Sequence, residues 1–175
     1  MSQSSASENK SAGMQIPHWL RLTLAIAAAL ELIGGLKDLP ILFGDTSEIP
    51  GPGLSGWIIS AKIALQPVFA GLALVFAAGG RVRLALVAMA AVVLANWMSY
   101  LPSVAIHGLE FQGDGAGGLV TLFEIVLAPL MAAAVVVLAW LDRRLPLATL
   151  LAVLPTAISV LFIILFAIGV AIYGF

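Results

Sequence analysis

The chain has 175 residues, of which 62% are hydrophobic and only 10% charged, with a net charge of −1. A soluble domain is about half apolar and about a quarter charged, and a chain this small cannot hide so much apolar surface from water. These figures exclude a soluble enzyme and a disordered chain, and the lack of a basic excess excludes a nucleic-acid partner.

Residues 1–16, MSQSSASENKSAGMQI, are polar and serine-rich and read as a disordered cytosolic tail. A cleaved signal peptide is the poorer reading. Its core would contain Glu31, and no small-residue cleavage site follows before Lys37 and Asp38. A helix needs about 20 mostly apolar residues to cross the hydrocarbon core. Five stretches have that length: 17–38, 54–78, 83–104, 117–141 and 146–173. The breaks between them carry glycine, proline or charge, where helices stop. The runs are continuously apolar and lack the alternation of a spanning strand. The expected fold is therefore an all-α membrane protein, with residues 17–175 forming one bundle of five transmembrane helices.

Basic residues near span ends set orientation. Lys10 and Arg21 flank the first span, Arg81 and Arg83 join the second to the third, and Arg143 and Arg144 join the fourth to the fifth. These six fall on one side, read as the cytoplasm. The opposite loops hold Asp38, Asp45, Glu48, Glu110 and Asp114, with Lys37 the one base near them. The N-terminus is expected inside and the C-terminus outside.

The polar residues within the spans then acquire depths, at a rise of about 1.5 Å per residue. Lys62 lies about 12 Å below the outer end of the second span, and Glu124 about 9 Å below that of the fourth. Glu31 sits about two-thirds of the way up the first span; Asn96, Ser99 and Tyr100 occupy the outer half of the third. Lys62 and Gln66 share a helix face at i,i+4, as do Asn96 and Tyr100. Intramembrane charges are costly and face the bundle interior, paired or wetted. The pattern predicts one polar chamber in the outer half, lined by the first four spans. Its residues are Glu31, Lys62, Gln66, Asn96, Ser99, Tyr100 and Glu124. If Lys62 pairs with one glutamate, the other is left over and can carry a proton. The competing reading is a purely structural network that glues helices together. Pro67, Pro129 and Pro155 lack N–H groups and free the carbonyls of Ile63, Ile125 and Leu151. Such interrupted helices line sites in some transporters.

Other motifs carry less. Gly113-Asp114-Gly115-Ala116-Gly117-Gly118 spells a dinucleotide fingerprint but follows no strand, and reads as a flexible loop. His107, Glu110 and Asp114 read as a solvated loop rather than a metal site. A haem between two histidines fails because His18 is inside and His107 outside. The absence of cysteine removes iron–sulfur, thiolate-metal and disulfide chemistry. No catalytic residue and no metal site are assigned. Trp19, Trp57 and Trp140 near span ends read as interfacial anchors. The small-residue face at Ala88, Ala90 and Ala91 should let helices pack closely.

The run from Arg21 through Gly34-Gly35-Leu36-Lys37, followed by Gly71-Leu72-Ala73-Leu74-Val75-Phe76-Ala77-Ala78-Gly79-Gly80-Arg81-Val82-Arg83-Leu84-Ala85, resembles the DoxX-like membrane proteins. The likeness covers about half the chain. Where that family often has an acidic residue before the second-span glycine, this chain has Gln66-Pro67, and where the family core has four helices, this chain has a four-helix core plus one. The resemblance implies a small bundle of the bacterial inner membrane. It also implies a link to quinone redox in some members, so that an enzymatic role would be as a subunit of a quinone-linked oxidoreductase. Three readings stay open: a protein binding a small molecule, quinone or proton in the chamber; a small proton-linked transporter; and a non-catalytic accessory subunit. The expected partners are the lipid bilayer and a second membrane protein or another copy of the chain.

Overall fold

The structure is a computed structural model that describes residues 17–44, 53–107, 116–141 and 144–174, without the side chains of residues 106–107 and 116–124. The described residues are helical throughout, with no strand among them. The proposed tail 1–16, the loop 108–115 with Glu110 and Asp114, and Asp45, Glu48, Asp142 and Arg143 lie outside the described residues, as does the side chain of Glu124.

Helix α1 spans His18–Asp38 and runs into a 3-10 turn at Leu39–Leu42. Helix α2, Leu54–Ala78, starts after Gly53 at φ +95°. Its end is a Schellman motif. Gly80 adopts φ +74°, its N–H reaches Ala77 O at 3.1 Å, and the Arg81 N–H reaches Phe76 O at 2.8 Å. Helix α3 is Val82–Trp97, followed by a 3-10 turn Met98–Tyr100 and a short helix α4, Leu101–His107. Helix α5 is Ala116–Leu141 and helix α6 is Leu145–Tyr173, the latter with Pro146 in its first turn.

The third expected span, 83–104, is thus not one uninterrupted α-helix. Pro102 has no N–H to give Met98 O, and the Leu101 N–H takes that carbonyl instead, tightening the turn to 3-10. The other helices begin within one residue of the expected stretches.

Four segments are long and apolar enough to cross a membrane: His18–Leu42, Leu54–Ala78, Val82–Ala105 and Leu145–Tyr173. The described side chains of α5 add a shorter apolar stretch, Ile125–Leu141. The chain is built as a membrane protein with several spans.

Neighbours in sequence pack side by side: α1 on α2, α2 on α3, α3 on α5 and α5 on α6, with α6 returning to α1 and α3. The core is dominated by small residues, including Ala27, Ala28, Ala73, Ala77, Ala85 and Ala90. Small side chains let helix backbones approach, which is the means of association available where hydrocarbon surrounds the helices. Ala88 and Ala90 are buried in this core as expected, while Ala91 is half-buried. A close approach occurs at Gly35, where a Cβ would lie 3.0 Å from both Cδ and N of Pro67. At the opposite end, Arg21 of α1 donates from Nη2 to Ala78 O at 2.8 Å and from Nε to Ala77 O at 3.4 Å. A cation there satisfies the open carbonyls and complements the helix dipole.

Candidate functional site

Glu31 sits on α1 two turns before the helix ends, on the side turned to α2, α3 and α6. Three side chains from those helices converge on its carboxyl group. Gln66 Nε2 donates to Oε2 at 3.1 Å, Asn96 Nδ2 donates to the same oxygen at 3.2 Å, and Thr156 Oγ1 donates to Oε1 at 2.7 Å. Burial of such a carboxyl group is tolerable only because donors surround it. No ion pair to Glu31 occurs among the described residues.

The antiparallel order of the helices brings these groups to one level. Gln66 is buried in α2 next to Pro67, the residue that Gly35 packs against, so the tight α1–α2 crossing fixes the height of Gln66 against Glu31. Asn96 lies one residue before the end of α3. Thr156 follows Pro155 in α6 and is 5% exposed.

The cluster borders a cavity of about 830 Å³, within the usual size range of small-molecule sites. Of the seven residues expected to form a chamber, Glu31, Lys62, Gln66, Asn96, Ser99 and Tyr100 all line it. The Glu124 side chain lies outside the described residues, although its position falls in α5. The chamber differs from expectation in two respects.

First, the partner of Lys62 among the described residues is Asp38 and not Glu31. Its Nζ lies 3.5 Å from Asp38 Oδ2. Lys62 is one turn closer than Gln66 to the start of α2, and Asp38 is two turns beyond Glu31 on α1. The flexible lysine stem reaches toward the helix ends, where its charge is better hydrated, rather than inward.

Second, α6 is part of the wall, whereas the first four spans alone were expected to form it. Leu154, Pro155, Thr156, Ile158 and Ser159 all line the cavity. The signal was present in the sequence as Pro155-Thr156 and Ser159 inside the most apolar run, yet a threonine in a membrane helix ordinarily bonds its own backbone and attracts no notice.

Trp97 was also missed. It lines the cavity, and its indole Nε1 donates to Ile125 O at 2.9 Å. That carbonyl is the one Pro129 frees. The freed group thus finds a side-chain donor from a neighbouring helix, as interrupted membrane helices require. Trp19, Trp57 and Trp140 are instead exposed near helix ends. Ser99 Oγ donates to Asn96 O at 2.6 Å and so steadies the turn that carries Asn96.

Comparison with known protein families, curated proteins and solved structures found no match to the chain.

Proposed function

We propose that this chain is a membrane-embedded binding protein whose site is the Glu31 cavity. One observation carries the reading: a carboxyl group held by three side-chain donors from three helices, with no cation partner among the described residues, borders an empty volume of about 830 Å³. A network that served only as glue would close on itself and leave no space beside its charged member. Such a group can hold a proton or the polar part of a small molecule.

The proposed setting is the bacterial inner membrane, with five spans, an inside N-terminus and a DoxX-like four-helix core plus one. The bonds from Arg21 to Ala77 and Ala78 support that orientation, because they bring Arg21 beside Arg81 at one end of the molecule. Arg144, at the start of α6, belongs to the same end in this reading. Glu31 and Lys62 then lie toward the outer end. Of the sequences behind the DoxX-like resemblance, Gly34-Gly35 allows the α1–α2 contact and Gly79-Gly80-Arg81 ends α2.

The test is native mass spectrometry of the purified protein released from nanodiscs. A small molecule is expected on the unaltered protein and absent from Glu31→Leu. Identical bound species in both, or none in either, with both proteins folded, overturns the reading.

A further inference from the structure

The wall of the Glu31 cavity is uneven in its hydrogen bonding. Several of its side-chain donors meet protein acceptors: Gln66 Nε2, Asn96 Nδ2 and Thr156 Oγ1 meet Glu31, Trp97 Nε1 meets Ile125 O, and Lys62 Nζ meets Asp38. An acceptor is left over. Gln66 Oε1 is buried with no donor among the described residues, on a side chain only 7% exposed. The amide cannot be reversed to correct this, since its oxygen would then face the Glu31 carboxyl. Glu31 itself has three of its roughly four lone-pair positions filled. A leftover buried acceptor is costly until something donates to it.

The rim is uneven in polarity. Its exposed residues on α1 and α6 are mostly apolar, Leu30 and Ile33 on one side and Ile158, Phe162 and Ile163 on the other, with the Ser159 hydroxyl among the latter. Between them, Gly34 lines the cavity, and a Cβ there would meet nothing within 4 Å. A helix-interior glycine is less favourable than alanine, and at this position its effect is to widen the cleft.

Resting on the reading that this cavity holds a ligand, we infer that it takes a lipophilic molecule whose polar head donates hydrogen bonds, an amine or hydroxyl on an apolar tail, admitted sideways from the bilayer between α1 and α6. The head lies at the Glu31 carboxyl group and the tail leaves between Leu30 and Phe162. A head with acceptors alone, such as a ketone or an oxidised quinone, sets oxygen against oxygen.

Fluorescence of Trp97 reads occupancy directly. A variant with Trp19, Trp57 and Trp140 changed to Phe keeps this indole alone, and is placed in phosphatidylcholine nanodiscs. The quenchers are dodecyl chains brominated beside a primary amine, a hydroxyl, a trimethylammonium or a methyl ketone. The amine and alcohol should quench at about tenfold lower concentration than the other two, the factor expected from one buried acceptor satisfied or left unmet. Glu31→Leu, Glu31→Gln and Gly34→Phe should each reduce that quenching. Equal quenching by the ketone or the trimethylammonium probe overturns the donor requirement. Displacement of the amine by ethylamine at the same concentration overturns the need for a tail. Unchanged quenching in a folded Gly34→Phe overturns the sideways route. These three results leave the binding role of the cavity standing. Equal quenching by all four probes, indifferent to Glu31→Leu, is collision within the bilayer and overturns the binding role as well.

Discussion

Two adjacent glycines on α1 have opposite consequences. At Gly35 a methyl group would meet the Pro67 ring and backbone at 3.0 Å, and neither can rotate away. Gly35→Ala should therefore destabilise the protein by about 1–3 kcal/mol, the usual range for overpacking. Gly34→Ala meets open space and should be neutral or stabilising by up to about 1 kcal/mol. Thermal melts in one detergent compare the two. At Glu31 the substitution chosen matters equally. Glu31→Leu leaves the donors of Gln66, Asn96 and Thr156 without their acceptor and should cost about 1–3 kcal/mol. Glu31→Gln keeps a carbonyl acceptor and should cost less. The reverse order in melting temperature would contradict the hydrogen-bond assignment. Polar residues were the most legible part of the site in the sequence, because a glutamate, a glutamine and an asparagine stand out in apolar runs. The partner of Lys62 was not legible, because helix α1 continues through Asp38 and offers the lysine an acid nearer to water. Thr156 was not legible either, since its bond joins residues far apart in the chain and only packing brings them together.

Helix interruptions couple one element to the next. Pro129 removes the N–H that Ile125 O would accept, and Trp97 of α3 supplies one in its place. Restoring the backbone donor with Pro129→Ala should weaken that cross-helix bond. Trp97→Phe leaves Ile125 O unpaired and should cost about 1–3 kcal/mol in the unaltered protein, but clearly less beside Pro129→Ala. A double-mutant cycle on thermal stability measures the difference; additive effects would mean that the indole bond is energetically idle. Helix positions were readable from apolar run length and from glycine and proline at the breaks. The tightening after Trp97 was not, although Pro102 was in view. An apolar run shows where a helix can lie, but not which of its turns gives up an α-type bond.

At the scale of the molecule, the small-residue core explains how such an apolar chain specifies one packing. Association follows close backbone approach rather than large side chains, and Arg21 fastens α1 to the end of α2. If the five-span orientation is right, a reporter active only outside the cytoplasm should work when fused after Glu48 or Phe175 and stay silent after Arg83 or Arg144. The opposite pattern would turn the molecule over and move the cavity to the cytosolic half. The helices do not hold one another equally. In its most apolar stretch α6 is only 11% buried, against 28% for α1 and α2 and 44% for the segment that begins with α3. The contact of Gly35 with Pro67 welds α1 and α2 into a fixed jaw, since neither backbone can slide without meeting the other. The C-terminal half of α6, exposed along most of its length beyond Thr156, is the opposing jaw, with the proline before Thr156 as its fulcrum. The Thr156 hydroxyl is then a latch as well as a ligand for Glu31. On the proposed reading, a guest that competes for Glu31 would release the one polar bond described between α6 and the α1–α2 pair, and so loosen the helix it must pass.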